Sequence, residues 1–102
     1  MPDVDVPKWD VALEALAAEE YQKLGRPLTS EDLSRLAREY AIRFDDIMVT
    51  IFELCFQDEW LYLGPDGEET PLDREAVESL FVNGRIREED MAALPGTWRP
   101  RF

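Results

Sequence analysis

Nine carboxylates stand between Arg43 and Arg74 with no Lys or Arg among them: Asp45, Asp46, Glu53, Asp58, Glu59, Asp66, Glu68, Glu69 and Asp73. Carboxylates at this density could work in pairs as acid and base, hold a hard cation, or present a field of one sign to a cationic partner. Spacing weakens the first option. Asp45/Asp46 and Asp58/Glu59 are neighbours in the chain, and neighbouring residues do not converge on one point of a helix. Helix capping by Asp45 and plain surface solvation account for them more simply. The second option needs alternating oxygen ligands closed by a distal Glu, and Asp66-Gly67-Glu68-Glu69 lacks that order. The third option remains. Of the chain's formal net charge of −12, the middle stretch accounts for most: residues 1–43 hold nine acids against six bases, and residues 74–102 hold five of each. Such a field attracts basic partners and repels nucleic acid backbones. The competing interpretation is that the carboxylates only keep an apolar-rich chain in solution.

Other chemistries lack their residues. There is no His, hence no Ser–His or Cys–His nucleophile pair and no imidazole for proton transfer near neutral pH. The single Cys55 lies in the apolar run Ile51-Phe52-Glu53-Leu54-Cys55-Phe56 and reads as a small buried hydrophobe without a base to activate it. The five glycines, Gly25, Gly64, Gly67, Gly84 and Gly96, fall at helix stops and turns rather than in a phosphate-cradling loop. Zinc would need Cys or His clusters. The expectation is therefore a protein that is not an enzyme, with no cofactor and no metal. The N-terminal Met1-Pro2-Asp3-Val4-Asp5 lacks the basic and apolar regions of a secretory signal, and no apolar run is long enough to span a bilayer. No membrane partner and a cytoplasmic location are expected.

The elements that position these residues read as mainly helical. Apolar spacing predicts a first helix over about 7–24, with Leu13, Leu16, Ala17, Tyr21 and Leu24 on one face, stopped by Gly25 and Pro27. Thr29 is placed to cap a second helix, with Asp32 at its third position and Leu28 packing on Leu33 across the cap. Its inner face is Leu33, Leu36, Ala37 and Tyr40, and its outer face is a ladder of Glu31, Arg35, Glu39 and Arg43. Asp45 is expected to cap a third helix carrying Ile47, Met48, Val49, Ile51, Phe52, Leu54, Cys55 and Phe56. It is apolar on nearly every side, and so is either central to the fold or covered by a partner, including a second copy in a homodimer. Val49–Phe52 would also suit a strand, but the run is long for one. Trp60-Leu61-Tyr62-Leu63 is β-prone and meets the turn Gly64-Pro65-Asp66-Gly67, predicting a short β-hairpin at about 60–70, with a loop as the alternative. Asp73 is expected to cap a fourth helix whose buried face is Ala76, Val77, Leu80 and Phe81. A short fifth helix around 87–94 turns Met91 and Leu94 inward. The basic tail 97–102 either stays loose or folds onto the acidic middle.

The order of a helix at 29–40, a break at Ala41-Ile42, a helix at 45–58 and a hairpin at 60–70 resembles a winged helix-turn-helix, with Leu33, Leu36, Ala37, Ala41, Ile42 and Ile47 at inward positions. That family reads DNA with its second helix, flanked by Lys and Arg. Here that helix opens Asp45-Asp46 and holds no base, and the wing runs Asp66 to Glu69. Direct nucleic acid binding is not expected.

The sequence thus predicts a mainly α, small single domain over 1–102. It has four to five helices in helix-turn-helix-like order, a short β-hairpin at about 60–70 and loose ends at about 1–6 and 97–102. The expected role is a non-enzymatic acidic interaction module that binds, and regulates or inhibits, a basic protein. The expected contact residues are Asp45, Asp46, Asp58, Glu59, Trp60, Tyr62, Asp66, Glu68 and Glu69. The alternative is a transcription-associated helix-turn-helix protein with weak or lost DNA binding.

Overall fold

A computed structural model describes residues 7–101 of the chain, with side chains from residue 11 onward; the expected loose end at 1–6 lies outside the described residues. The order is α1 (Pro7–Leu24), α2 (Ser30–Glu39), α3 (Phe44–Phe56), β1 (Trp60–Leu63), α4 (Arg74–Glu78), a 3-10 helix (Glu88–Ala93) and β2 (Thr97–Pro100). The architecture is mainly α with one small antiparallel pair of strands, β1 and β2.

Local signals account for the helix ends. Gly25 takes a left-handed φ of 69° and its N–H returns to the Tyr21 carbonyl, closing α1. At α2 the Thr29 hydroxyl accepts from the Asp32 N–H at 3.1 Å while the Asp32 carboxylate accepts from the Thr29 N–H at 2.9 Å, the reciprocal cap expected from the sequence. Two helices close by the same device. After α2, Ala41 adopts φ 56° and the Ile42 N–H reaches the Ala37 carbonyl; after α3, Asp58 adopts φ 65° and the Glu59 N–H reaches the Leu54 carbonyl. In each, the left-handed residue turns the chain and the long back-bond satisfies a carbonyl left open at the helix end. Asp73 caps α4 by accepting from the Glu75 N–H, and Val82 and Arg85 pair across Asn83-Gly84, both at positive φ.

Three local expectations are corrected. α3 starts at Phe44 with Arg43 as its cap residue, so Asp45 lies inside the first turn rather than capping it. Leu24 and Tyr40 are exposed rather than inward. The α2 ladder stops at Glu39: Arg35 pairs with Glu39 but also with the buried Glu20 of α1 and with Asp32, while Arg43 turns to Asp45. The break at Ala41 rotates Arg43 off the α2 face.

One apolar core draws on every element, centred on Leu28, Leu33, Leu36, Ile47, Met48, Ile51, Phe52, Trp60 and Trp98. Trp98 packs against Phe52 in a T-shaped pair with ring centroids 6.3 Å apart, in which the positive edge of one ring meets the face of the other, and lies tilted by 40° against Tyr62 at 5.5 Å. Its backbone exchanges two hydrogen bonds with Leu28, so β2 lies between Leu28 and β1. This corrects the expected loose end at 97–102: residues 97–100 are a strand paired with β1 in register Trp60↔Pro100, Leu61↔Arg99, Tyr62↔Trp98 and Leu63↔Thr97. The turn after β1 does fold back, with an isolated Leu63↔Glu69 bridge and the Thr70 N–H on the Tyr62 carbonyl, but the main partner of β1 comes from the tail. Among the described residues no helix is long and apolar enough to cross a membrane.

Candidate functional site

The nine expected contact residues do not share one surface. Asp45 is buried, its Oδ2 accepting from Arg85 Nε at 2.6 Å with Arg43 at 3.5 Å. Burial pushes this carboxyl up, but the Arg85 hydrogen bond and charge, with Arg43 behind them, outweigh it and hold Asp45 below the usual carboxylate range. Asp45 is therefore an internal anchor between α3 and the 82–85 turn, not a contact residue. Trp60 and Tyr62 are corrected likewise: they are 1% and 7% exposed and face the core, with the Tyr62 hydroxyl donating to the Pro95 carbonyl. Strand alternation puts residues two apart on one face, and here that face is inward.

The tail takes a share of the remaining acids. Arg101 donates through Nε to the Asp58 carbonyl at 2.7 Å, and its guanidinium lies 3.6 Å from the Asp58 carboxylate and 4.0 Å from that of Glu69. Asp46, Glu59, Asp66 and Glu68 are exposed and, among the described residues, have no cationic side chain within ion-pair distance. Asp66 accepts from the Glu68 N–H, which rigidifies the turn that carries both.

Two neighbouring clefts organise this side of the molecule, and Phe56 lines both. One, about 230 Å³, runs between the end of α3, β1 and residues 69–72, with Asp58, Glu69 and Arg101 among its walls. The other, about 140 Å³, lies between α3 and α4 and is lined by Val49, Phe52, Phe56, Val77 and Phe81, with Glu53, Glu78 and Arg74 around them. The Arg74 guanidinium stacks over the Phe56 ring at 4.1 Å. The exposed positions of α3 are Asp46, Val49 and Glu53, spaced so that they form one outward stripe. The apolar residues that made a homodimer through α3 attractive (Ile47, Met48, Ile51, Phe52 and Leu54) all point into the core.

Glu53, Val49, Phe81 and Arg74 were missed as site residues by sequence reasoning. The available signal was partial: assigning 47, 48, 51, 52 and 54 to the core leaves eight positions of α3, and only the three-and-four spacing of 46, 49 and 53 picks out one outward stripe. Phe81 had no such signal, because its half-buried position depends on where α4 docks.

The arginines nearest the α2–α3 corner are engaged with carboxylates. Arg38 meets Glu88, Arg43 and Arg85 meet Asp45, and Arg87 meets Glu89 and Asp90. Cys55 lines the larger cleft, but burial pushes its thiol up to about 12, so it holds its proton there. Among the described residues no three acidic or thiol side chains converge as a metal cradle. Compared with protein-family models, curated proteins and solved structures, the chain has no match in any of the three.

Proposed function

We propose that the protein is a non-enzymatic interaction module that docks a basic protein partner on its acidic side and so regulates or inhibits it. The observation that carries the reading is the outward stripe of α3. The fold buries Ile47, Met48, Ile51, Phe52 and Leu54 of that helix and presents Asp46, Val49 and Glu53, with no base on the helix to offset the two carboxylates. Glu59, Asp66 and Glu68 extend the same sign from the end of α3 to the turn after β1. A surface of this kind accelerates encounter with cationic proteins and disfavours anionic ones.

The test is binding to basic proteins at low and high salt, comparing the native chain with Asp46→Lys/Glu53→Lys and Glu68→Lys/Glu69→Lys. These positions are exposed, so the variants are expected to retain the native circular dichroism and melting behaviour. Binding should weaken steeply as the Debye length contracts from about 10 Å at 0.1 M salt to about 3 Å at 1 M, and at least one double reversal should abolish it. Binding indifferent to both reversals refutes the reading.

A second reading, a helix-turn-helix protein with residual DNA binding, has one observation in its favour. β2 pairs with β1 on one side and with Leu28 on the other, beside the α2–α3 pair, which is the strand order of a winged helix. Against it stands the acidic stripe on the helix that would enter the groove. Retardation of duplex DNA at low salt that depends on Arg38 or Arg43 would favour it.

A further inference from the structure

The groove between α3 and α4 joins an apolar lining to a rim of two carboxylates, Glu53 and Glu78, and one base, Arg74, which is stacked on Phe56. Val49 is 40% exposed, Phe56 and Phe81 are half-buried, and Phe52 and Val77 close the floor. At about 140 Å³ the groove falls below the roughly 300 Å³ at which small-molecule sites begin, so its occupant is a single side chain delivered by a larger partner. Glu53 and Glu78 stand beside it, and Asp46 lies on the same stripe of α3. The Phe56 ring already carries a guanidinium, that of Arg74, which shows what charge this aromatic face favours.

We propose that this groove receives one apolar side chain of a basic amphipathic helix, whose flanking Lys or Arg residues pair with Glu53 and Glu78. The proposal names the partner class of the acidic side described above and rests on that reading. Helical partners dock in such grooves through apolar anchors one turn apart, and a second cleft adjoins this one across Phe56. A second copy of this chain is disfavoured as the occupant. A two-fold contact through α3 is self-complementary, so each copy would bring Asp46 and Glu53 against the same carboxylates of the other.

The probe is a pair of fluorescein-labelled synthetic peptides of identical basic composition. One carries leucines one turn apart along a helical face, and the other has them scrambled. Anisotropy titrations at low salt should show the patterned peptide binding about tenfold to a hundredfold more tightly, the value of burying one aliphatic side chain. Val49→Lys should abolish that preference, and Glu53→Lys should weaken both peptides. Both positions are exposed, so neither change threatens the fold. Amide shifts caused by the patterned peptide should map to α3 and α4. Equal binding of the two peptides overturns the groove proposal while leaving acidic docking intact. Absence of binding by both peptides overturns both. Shifts confined to other elements overturn the groove, as does concentration-dependent dimerisation of the chain that Val49→Lys abolishes.

Discussion

Replacing Gly96 by Ala should undo the seam that holds the tail on the body of the protein. A Cβ on Gly96 would stand 2.3 Å from the Leu63 carbonyl oxygen, 2.6 Å from Tyr62 Cε1 and 2.9 Å from the Tyr62 hydroxyl oxygen. None of these can step aside cheaply. Leu63 is fixed in register with Thr97 and Tyr62 is held by the Pro95 carbonyl and by Trp98. Gly96 also sits at φ 148°, a region that L side chains rarely adopt. Overpacking costs about 1–3 kcal/mol and an unsuitable backbone conformation about 1–3 kcal/mol, so a loss of roughly 2–6 kcal/mol is expected. At about 4–8 °C per kcal/mol for a domain of this size, the melting temperature should fall by at least about 8 °C, and by roughly 24 °C at the middle of both ranges. Gly25→Ala is the matched control. Its φ is also positive, at 69°, but a Cβ there meets nothing within 4 Å, so only the left-handed penalty of about 1 kcal/mol applies. Urea unfolding followed by fluorescence of the buried Trp60 and Trp98 gives both values. If Gly96→Ala loses no more stability than Gly25→Ala, within about 0.5 kcal/mol, the packing of residue 96 against β1 is wrong.

Acid should weaken the fold through Asp32 and Asp45. Burial pushes Asp32 up, but Arg26, the Thr29 N–H and the Thr29 hydroxyl outweigh it and hold its carboxyl below the ordinary value, as Arg85 and Arg43 do for Asp45. A depressed folded pKa means stability that is present above the unfolded value of about 3.9 and is lost as pH falls through the folded one. Asp32→Asn/Asp45→Asn should therefore be less stable than the native chain at neutral pH, and the gap should close below about pH 4 in urea titrations. Cys55, with its thiol pushed up to about 12, should react with a disulfide reagent far more slowly in the native protein than in urea at the same pH; equal rates would place it at the surface.

Features that depend on a few consecutive residues were legible in the chain. The limits of α1, the reciprocal Thr29–Asp32 cap and the Asp73 cap all follow from spacing and from side chains that reach a neighbouring turn. The position of the acidic stretch is likewise a property of composition. Whether each acid meets water was not legible. Asp45 is buried against Arg85, forty residues on, and Asp58 is approached by Arg101, forty-three residues on, and nothing within a turn of either announces that distant partner.

Strand pairing shows the same division. Trp60–Leu63 declares itself β-prone by residue type, and both of its edges are used: the arm after Gly64–Gly67 returns to one through the Leu63↔Glu69 bridge and the Thr70 N–H, while the distant tail takes the other. Pairing with the tail also buries Trp98 against Phe52 and Tyr62, a gain that the weakly apolar 68–70 arm does not supply. With the tail docked, Trp60 and Tyr62 face the core, and the exposed acids of α3 lie on its outward stripe. Local propensity decided what forms; burial summed over distant segments decided which side of each element faces outward.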